Sequence, residues 1–254
     1  DSNRPLIDVD ALLADATHIL VTIPPCADAD PAFDLHSDDI AAAPALKWLG
    51  YMSTTGVYGN RNGDWIDETA NPAPSSRRGD NRLRAEEHWH ALYLMTGVPL
   101  HIFRLAGIYG PGRSALDSVR MGTARRINKP GHVFNRIHVD DIAQVLAASM
   151  LNPHAGGIYN LADDEPAPSA DVIAHACRLL DLPEPPMIDH DKADLAPMVQ
   201  SFYKDNKRIR NDRLKSELGV SLRYPDYRAG LAACLLAEED DSPIARIMLT
   251  RCGD

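Results

Sequence analysis

The chain has 254 residues, 44% of them hydrophobic and 24% charged, the balance of a folded soluble protein with ample length for a sizeable core. Lys and Arg number 26 against 36 Asp and Glu, a formal net charge of −10, which argues against nucleic acid or an anionic membrane surface as the partner. The longest strictly apolar runs, such as 231–237, fall far short of the roughly 18 to 20 residues that a membrane span needs.

Apolar runs of strand length occur at 18–23, 48–53, 100–105 and 158–161. Between them lie stretches with helical spacing. The first, 78–96, ends at Gly97 as a C-cap. The second, 140–151, places Ile142, Val145, Leu146 and Ser149 on one face, and Asp140 or Asp141 is its expected N-cap. The third, 169–180, turns Val172, Ile173, Ala176 and Leu180 inward, with Cys177 in the same apolar pattern. Strands that are apolar almost throughout, separated by helices, predict an α/β doubly wound parallel sheet covered on both faces. Past residue 165 prolines 166, 168, 183, 185, 186 and 197 punctuate shorter segments. This predicts a sheet domain over 1–165 and a smaller C-terminal lobe over 166–254, with some chain crossing between the two. The acidic stretch 238–242 reads as a solvated linker or turn, and 243–254 as a short helix with a frayed end.

The four cysteines, Cys26, Cys177, Cys234 and Cys252, show no CxxC spacing. That predicts neither a disulfide framework nor a zinc site and fits a reducing cytoplasm. His88 and His90, two apart, point to different sides of a helix, so no metal pair is expected.

Four motifs carry the functional signal. Ser53-Thr54-Thr55-Gly56-Val57-Tyr58-Gly59 follows a strand, and hydroxyls at the carboxyl end of a parallel strand sit where ligands bind; an ordinary hydroxyl-rich turn is the equal alternative. Arg78 and Arg82 begin the 78–96 helix on the face that carries Ala85, Trp89 and Leu92. They either meet an anion or reach water, pairing with Asp80 or Glu86. The run from Phe103 to Arg113 carries a strand into a Gly- and Pro-rich loop, where Arg113 is placed to grip a phosphate. Arg136-Ile137-His138 opens the next helix, with His138 either a packed residue or a pocket wall.

In order and spacing, STTGVYG, RLAGIYGPGR, NRIHVDDIAQVL, GIYNLADDEP and KRIRNDRLKSELGV together resemble the extended short-chain dehydrogenase/reductases, the NAD-dependent epimerase/dehydratase family. The likeness runs from about His18 to Leu236. It implies a Rossmann-like domain holding NAD or NADP and a lobe holding a nucleotide-sugar or related small metabolite, in a cytoplasmic protein that forms a homodimer through the 78–96 helix. Thr54 matches the family's catalytic hydroxyl. Thr22, Ile23, Pro24, Ser53, Leu105, Ala106, Gly107 and Ile108 fall on cofactor-lining positions, and Tyr58, Tyr109, Arg113, Arg136 and His138 on the substrate side.

Two departures matter. The family's Tyr-x-x-x-Lys pair falls at Arg78 and Arg82, and an arginine, protonated at any working pH, cannot shuttle the proton. Arg82 is left the lysine's other duty, holding a cofactor ribose or phosphate. Residues 1–16 contain no glycine, so the Gly-rich phosphate loop and first strands of the fold are missing from this text, and roughly 40 to 70 further native residues, about two βα units, are expected ahead of it. Three readings follow: an NAD(P)-dependent epimerase, dehydratase or oxidoreductase with an altered acid/base, a non-catalytic NAD(P) or metabolite sensor, and a purely structural protein. The basic pair argues against the last.

Overall fold

The computed structural model describes residues 6–26 and 29–240. The sheet forms where the apolar runs predict. Strands β1 (His18–Val21), β2 (Trp48–Thr54), β4 (Leu100–Leu105) and β8 (Gly157–Leu161) pair in parallel in the order β1-β2-β4-β8. Helices α2 (Pro31–Ala42) and α3 (Arg77–Thr96) connect β1 to β2 and β2 to β4, and α5 (Val139–Leu151) precedes β8. Short pieces fill the rest: α1 (Val9–Leu13), β3 (Trp65–Ile66), β5 (Gly107–Tyr109), α4 (Ala115–Arg120), β6 (Arg126–Asn128), β7 (Arg136–His138), α6 (Ser169–Leu179), β9 (Met187–Asp189), α7 (Pro197–Phe202), β10 (Arg208–Ile209), α8 (Asp212–Leu218) and α9 (Tyr227–Asp240).

Two clusters sandwich the sheet. Leu49, Tyr51, Leu100 and Ile102 pack with Trp89, Leu92 and Ile40 from α2 and α3. Trp48, Phe103, Tyr159 and Leu161 pack with Ile142 and Val145 of α5 and with Leu214 of α8. Strand residues therefore alternate between two apolar layers, which is why their sequence reads as continuously hydrophobic. Polar contacts lock the layers: Trp48 Nε1 donates to Ser149 Oγ at 3.0 Å, and Trp89 Nε1 donates to Asp30 Oδ2 at 2.9 Å. Asp30 also caps α2, accepting from Ala32 N and Phe33 N. A third cluster joins α4, α6 and α9 through Leu116, Val172, Ile173, Ala176, Cys177, Leu231 and Cys234. Chain from before residue 165 thus packs with chain from after it.

Gly97 ends α3 in the left-handed region, φ 75°, as a C-cap requires. Three expectations change. The 18–23 run is strand only to Val21, and Thr22, Ile23 and Pro24 leave it as an exposed loop. Neither Asp140 nor Asp141 caps α5. His138 does, its Nδ1 accepting from Asp140 N at 3.2 Å, while buried Asp141 accepts from Arg223 N (2.7 Å) and Tyr224 N (3.1 Å) and so ties α5 to the segment entering α9. Of the 238–242 stretch, 238–240 continue α9, which runs to Asp240, and 241–242 lie outside the described residues. The end predicted as a short helix, 243–254, and Cys252 lie outside the described residues.

Candidate functional site

Thr54 ends β2 opposite Leu105, the last residue of β4. This is the carboxyl rim of a parallel sheet, where ligands of such folds bind. Thr54 Oγ1 accepts from Gly56 N at 3.1 Å and so caps the short 3-10 turn Thr55–Tyr58. Thr55 Oγ1 donates to Leu105 O at 3.3 Å, joining the two strand ends. Along the same rim Thr22, Ile23 and Pro24 are exposed after β1, and Gly107 and Ile108 are exposed after β4, while Leu105 and Ala106 are buried. A side chain at Gly107 would press on Asn135 O at 3.1 Å, so glycine lets this rim segment pack closely on the chain entering β7.

A buried ionic network lies beneath. Arg104 and Glu86, each 4% exposed, pair at 2.7 Å, with Arg104 Nε also donating to both carboxylate oxygens. Burial alone would lower the Arg104 pKa, but the bonds to Glu86 outweigh it and hold the guanidinium firmly charged. Ser53 Oγ donates to the same carboxylate. Arg104 also donates to Tyr58 Oη at 2.9 Å, and Tyr58 Oη donates to Asn160 Oδ1 at 2.8 Å. Burial pushes the Tyr58 hydroxyl pKa up, and Arg104 opposes it.

The sequence-predicted arginines separate. Arg78 is exposed on the first turn of α3, so the solvated alternative holds for it. Arg82 is half-buried and committed to the protein: its NH1 donates to Met52 O at 2.6 Å and to Tyr51 Oη at 3.3 Å, with the guanidinium over the Tyr51 ring at 5.6 Å. The two do not form an inward basic pair, and Glu86 pairs with Arg104 instead.

On the lobe side a cleft of about 400 Å³ opens between the β5–α4 loop, α6 and α9. Val172, Ile173, Leu231, Tyr227 and Met121 give it apolar walls. Arg113, exposed, and Arg136 give it positive charge. Its one lining carboxylate, Asp117, is spent on Ser114 N (2.6 Å) and Ser114 Oγ (2.8 Å) in the capping box of α4. Arg136 NH1 donates to Phe134 O at 2.9 Å and Ala167 O at 3.0 Å, which fixes the guanidinium. Burial lowers the Arg136 pKa, with Asp163 the largest charge opposing it. Tyr109 lines the cleft, and its hydroxyl is buried without a partner.

Tyr109, Arg113 and Arg136 are thus brought together, whereas Tyr58 and His138 are not. Tyr58 is fully buried in the ionic network. His138, 1% exposed, packs edge-on with Tyr109 at 5.2 Å and sets Nε2 3.6 Å from Cys234 Sγ, which makes it a packed residue. Since its Nδ1 accepts from a backbone N–H, Nε2 carries the proton of the neutral ring. Sequence reasoning offered Glu86 only as a partner for Arg78 or Arg82, and missed Asn160 and Asp163. A signal for Glu86 was present, because Arg104 inside an apolar strand requires a buried acid. Among the described residues no cluster of three or more His, Cys, Asp or Glu is placed to hold a metal, and no helix is long and apolar enough to cross a membrane.

No family model matches the chain. Protein YeeZ of Escherichia coli K12 is 30% identical over 231 residues, 86% of this chain and 75% of that protein. Among solved structures, a conserved protein of unknown function from Silicibacter pomeroyi is 54% identical with a TM-score of 0.83, covering 87% of this chain and 78% of that one. A Methylobacillus flagellatus structure, named for the NAD-dependent epimerase/dehydratases, is 25% identical with a TM-score of 0.70, covering 94% and 82%. The dTDP-glucose 4,6-dehydratase of Bacillus anthracis, in complex with NAD, is 18% identical with a TM-score of 0.69, covering 90% and 74%. At that identity it shows a shared fold.

Proposed function

For a chain that belongs to the same family as Protein YeeZ of Escherichia coli and shares the epimerase/dehydratase fold, we propose NAD(P)-dependent chemistry on an anionic small metabolite of the nucleotide-sugar class. The observation that carries this reading is the pairing of an open carboxyl rim with an arginine-lined cleft of largely apolar walls, the first of which, 109–121, follows the rim segment Leu105–Ile108 in the chain.

The residues present suit the nicotinamide end of the cofactor. Thr22, Ile23 and Pro24, Ser53 and Thr54, and the segment Leu105 to Ile108 lie on one rim. When bound, NAD(P) would supply hydride transfer. Thr54 would orient a substrate hydroxyl or carbonyl by hydrogen bonding. Arg136, already fixed by two carbonyls, and Arg113 would bind the anionic group, and the apolar walls would exclude water from the remainder. Arg82 holds the end of β2 through NH1, which donates to Met52 O and Tyr51 Oη, and its remaining guanidinium N–H groups are the donors that a ribose or phosphate would meet. With Arg78 at the tyrosine position, the proton comes from elsewhere than the family's usual relay.

A sensor without turnover is the second reading, and Arg78 and Arg82 favour it. Two assays separate the readings. UDP binding at neutral pH should weaken at least about tenfold in Arg136→Met, the loss of one charge-assisted contact. Hydride exchange across a nucleotide-sugar panel should be measurable and be lost in Thr54→Val; tight binding with no exchange on any member supports the sensor. Unchanged UDP binding in Arg136→Met overturns the assignment of the cleft.

A further inference from the structure

Asp163 lies just past β8, 1% exposed, and its Oδ2 is buried without a hydrogen-bond partner. Its N–H donates to Arg136 O at 2.6 Å, so the loop after β8 is pinned to the residue that charges the cleft. Its Oδ1 accepts from Glu165 N at 3.3 Å. A buried carboxyl with an unsatisfied oxygen is costly and persists where its charge state has a use.

The charges around Asp163 are few. Arg136 on β7 is the strongest cation acting on it, without direct ion-pair contact. Asp164 beside it and Asp226 before α9 repel its charge, and Tyr109 on β5 feels it from the cleft side. Arg210, Asp212 and Lys215 line a small hollow on which Asp163 also borders. Those two cations are engaged, Lys215 with Asp164 at 2.6 Å and Arg210 with Asp212 at 3.7 Å. Arg136 is therefore the cation that Asp163 and a cleft ligand would share.

We propose that Asp163 is a positioning residue for anion recognition: while it keeps its proton, the Arg136 guanidinium is left to the ligand, and when it loses that proton, its carboxylate competes for the same guanidinium. The inference rests on the reading of the cleft as an anion site. Burial raises the Asp163 pKa to about 8, with Arg136 pulling the other way, so the exchange falls in an accessible range. Linkage then makes anion affinity flat below that value and weaker above it.

The test is calorimetric titration of the full-length protein with UDP from about pH 7, where its terminal phosphate is already ionised, to about pH 9.5. Wild-type affinity should fall about threefold to fivefold from pH 8 to pH 9. Asp163→Asn, which keeps an acceptor for Glu165 N, should bind at pH 9 as it does at pH 7. Asp163→Ser provides a second variant without the carboxyl if the amide disturbs folding, and circular dichroism checks each fold. A flat wild-type profile, or the same fall in the variants, overturns this inference and leaves the anion site standing. No UDP binding by the wild type at pH 7 instead removes the anion site, and this inference with it.

Discussion

Gly230 on α9 lies against the Tyr109 hydroxyl, and a Cβ there would come within 1.9 Å of that oxygen. Helix propensity alone would favour Gly230→Ala by up to about 1 kcal/mol. The clash is with a ring whose neighbours are packed, and overpacking of that kind costs about 1–3 kcal/mol, so the collision should win. Urea unfolding should show a net loss of stability; a gain would mean that Tyr109 moves freely. Asp163 predicts a pH effect of known sign. Burial on folding raises its carboxyl from the ordinary 3.8 to about 8. Its contribution to stability is complete below the lower value and is lost as pH rises towards the higher. The melting temperature of the wild type should fall relative to Asp163→Asn between those limits, and parallel curves would contradict this. Single residues were also where sequence reading was least secure. Arg78, Arg82 and His138 were placed by helix phase or motif order, yet their roles depend on partners distant in sequence: Met52 O for Arg82 and Cys234 for His138.

Helix α3 is held near the middle of its buried face by two polar contacts one turn apart, at Glu86 and Trp89. Trp89 reaches the cap of α2 through Asp30, whose pKa is raised by burial and restrained by its hydrogen bonds to Trp89 and the helix amides. Asp30→Ala removes an N-cap and a buried bond together and should cost about 1–2 kcal/mol, with a change in tryptophan fluorescence. Glu86 docks the helix onto β4 through Arg104. Glu86→Gln leaves that guanidinium buried without its counter-charge, and chemical denaturation should report a loss of about 3–5 kcal/mol. A loss below about 1 kcal/mol would mean that water reaches the pair. Elements of this length were legible because three or more turns, or five apolar residues, establish a period. The ladders β3–β10, β5–β7 and β6–β9 were not, since two or three residues per strand carry no periodicity.

At the scale of the whole molecule, the parallel pairing of the long strands follows from apolar runs separated by helices, and the sequence carried that much openly, whereas their order, β1-β2-β4-β8, is seen only in the structure. The cleft did not show in the same way. Its walls come from three stretches far apart in the chain, 109–121, 169–173 and 227–231, joined in one apolar cluster. Motif order located Tyr109, Arg113 and Arg136 because they flank the loops that the strands feed. It could not find Asp163, whose importance lies in what its buried oxygen lacks.

The carboxyl rim from Thr22 to Ile108 is proposed to hold a nicotinamide cofactor. Calorimetric titration of the full-length protein with NAD+, NADH, NADP+ and NADPH tests it directly. Saturable binding of at least one of the four is expected, with a dissociation constant in about the micromolar to millimolar range. Absence of binding to all four, by protein shown to be folded, would contradict it.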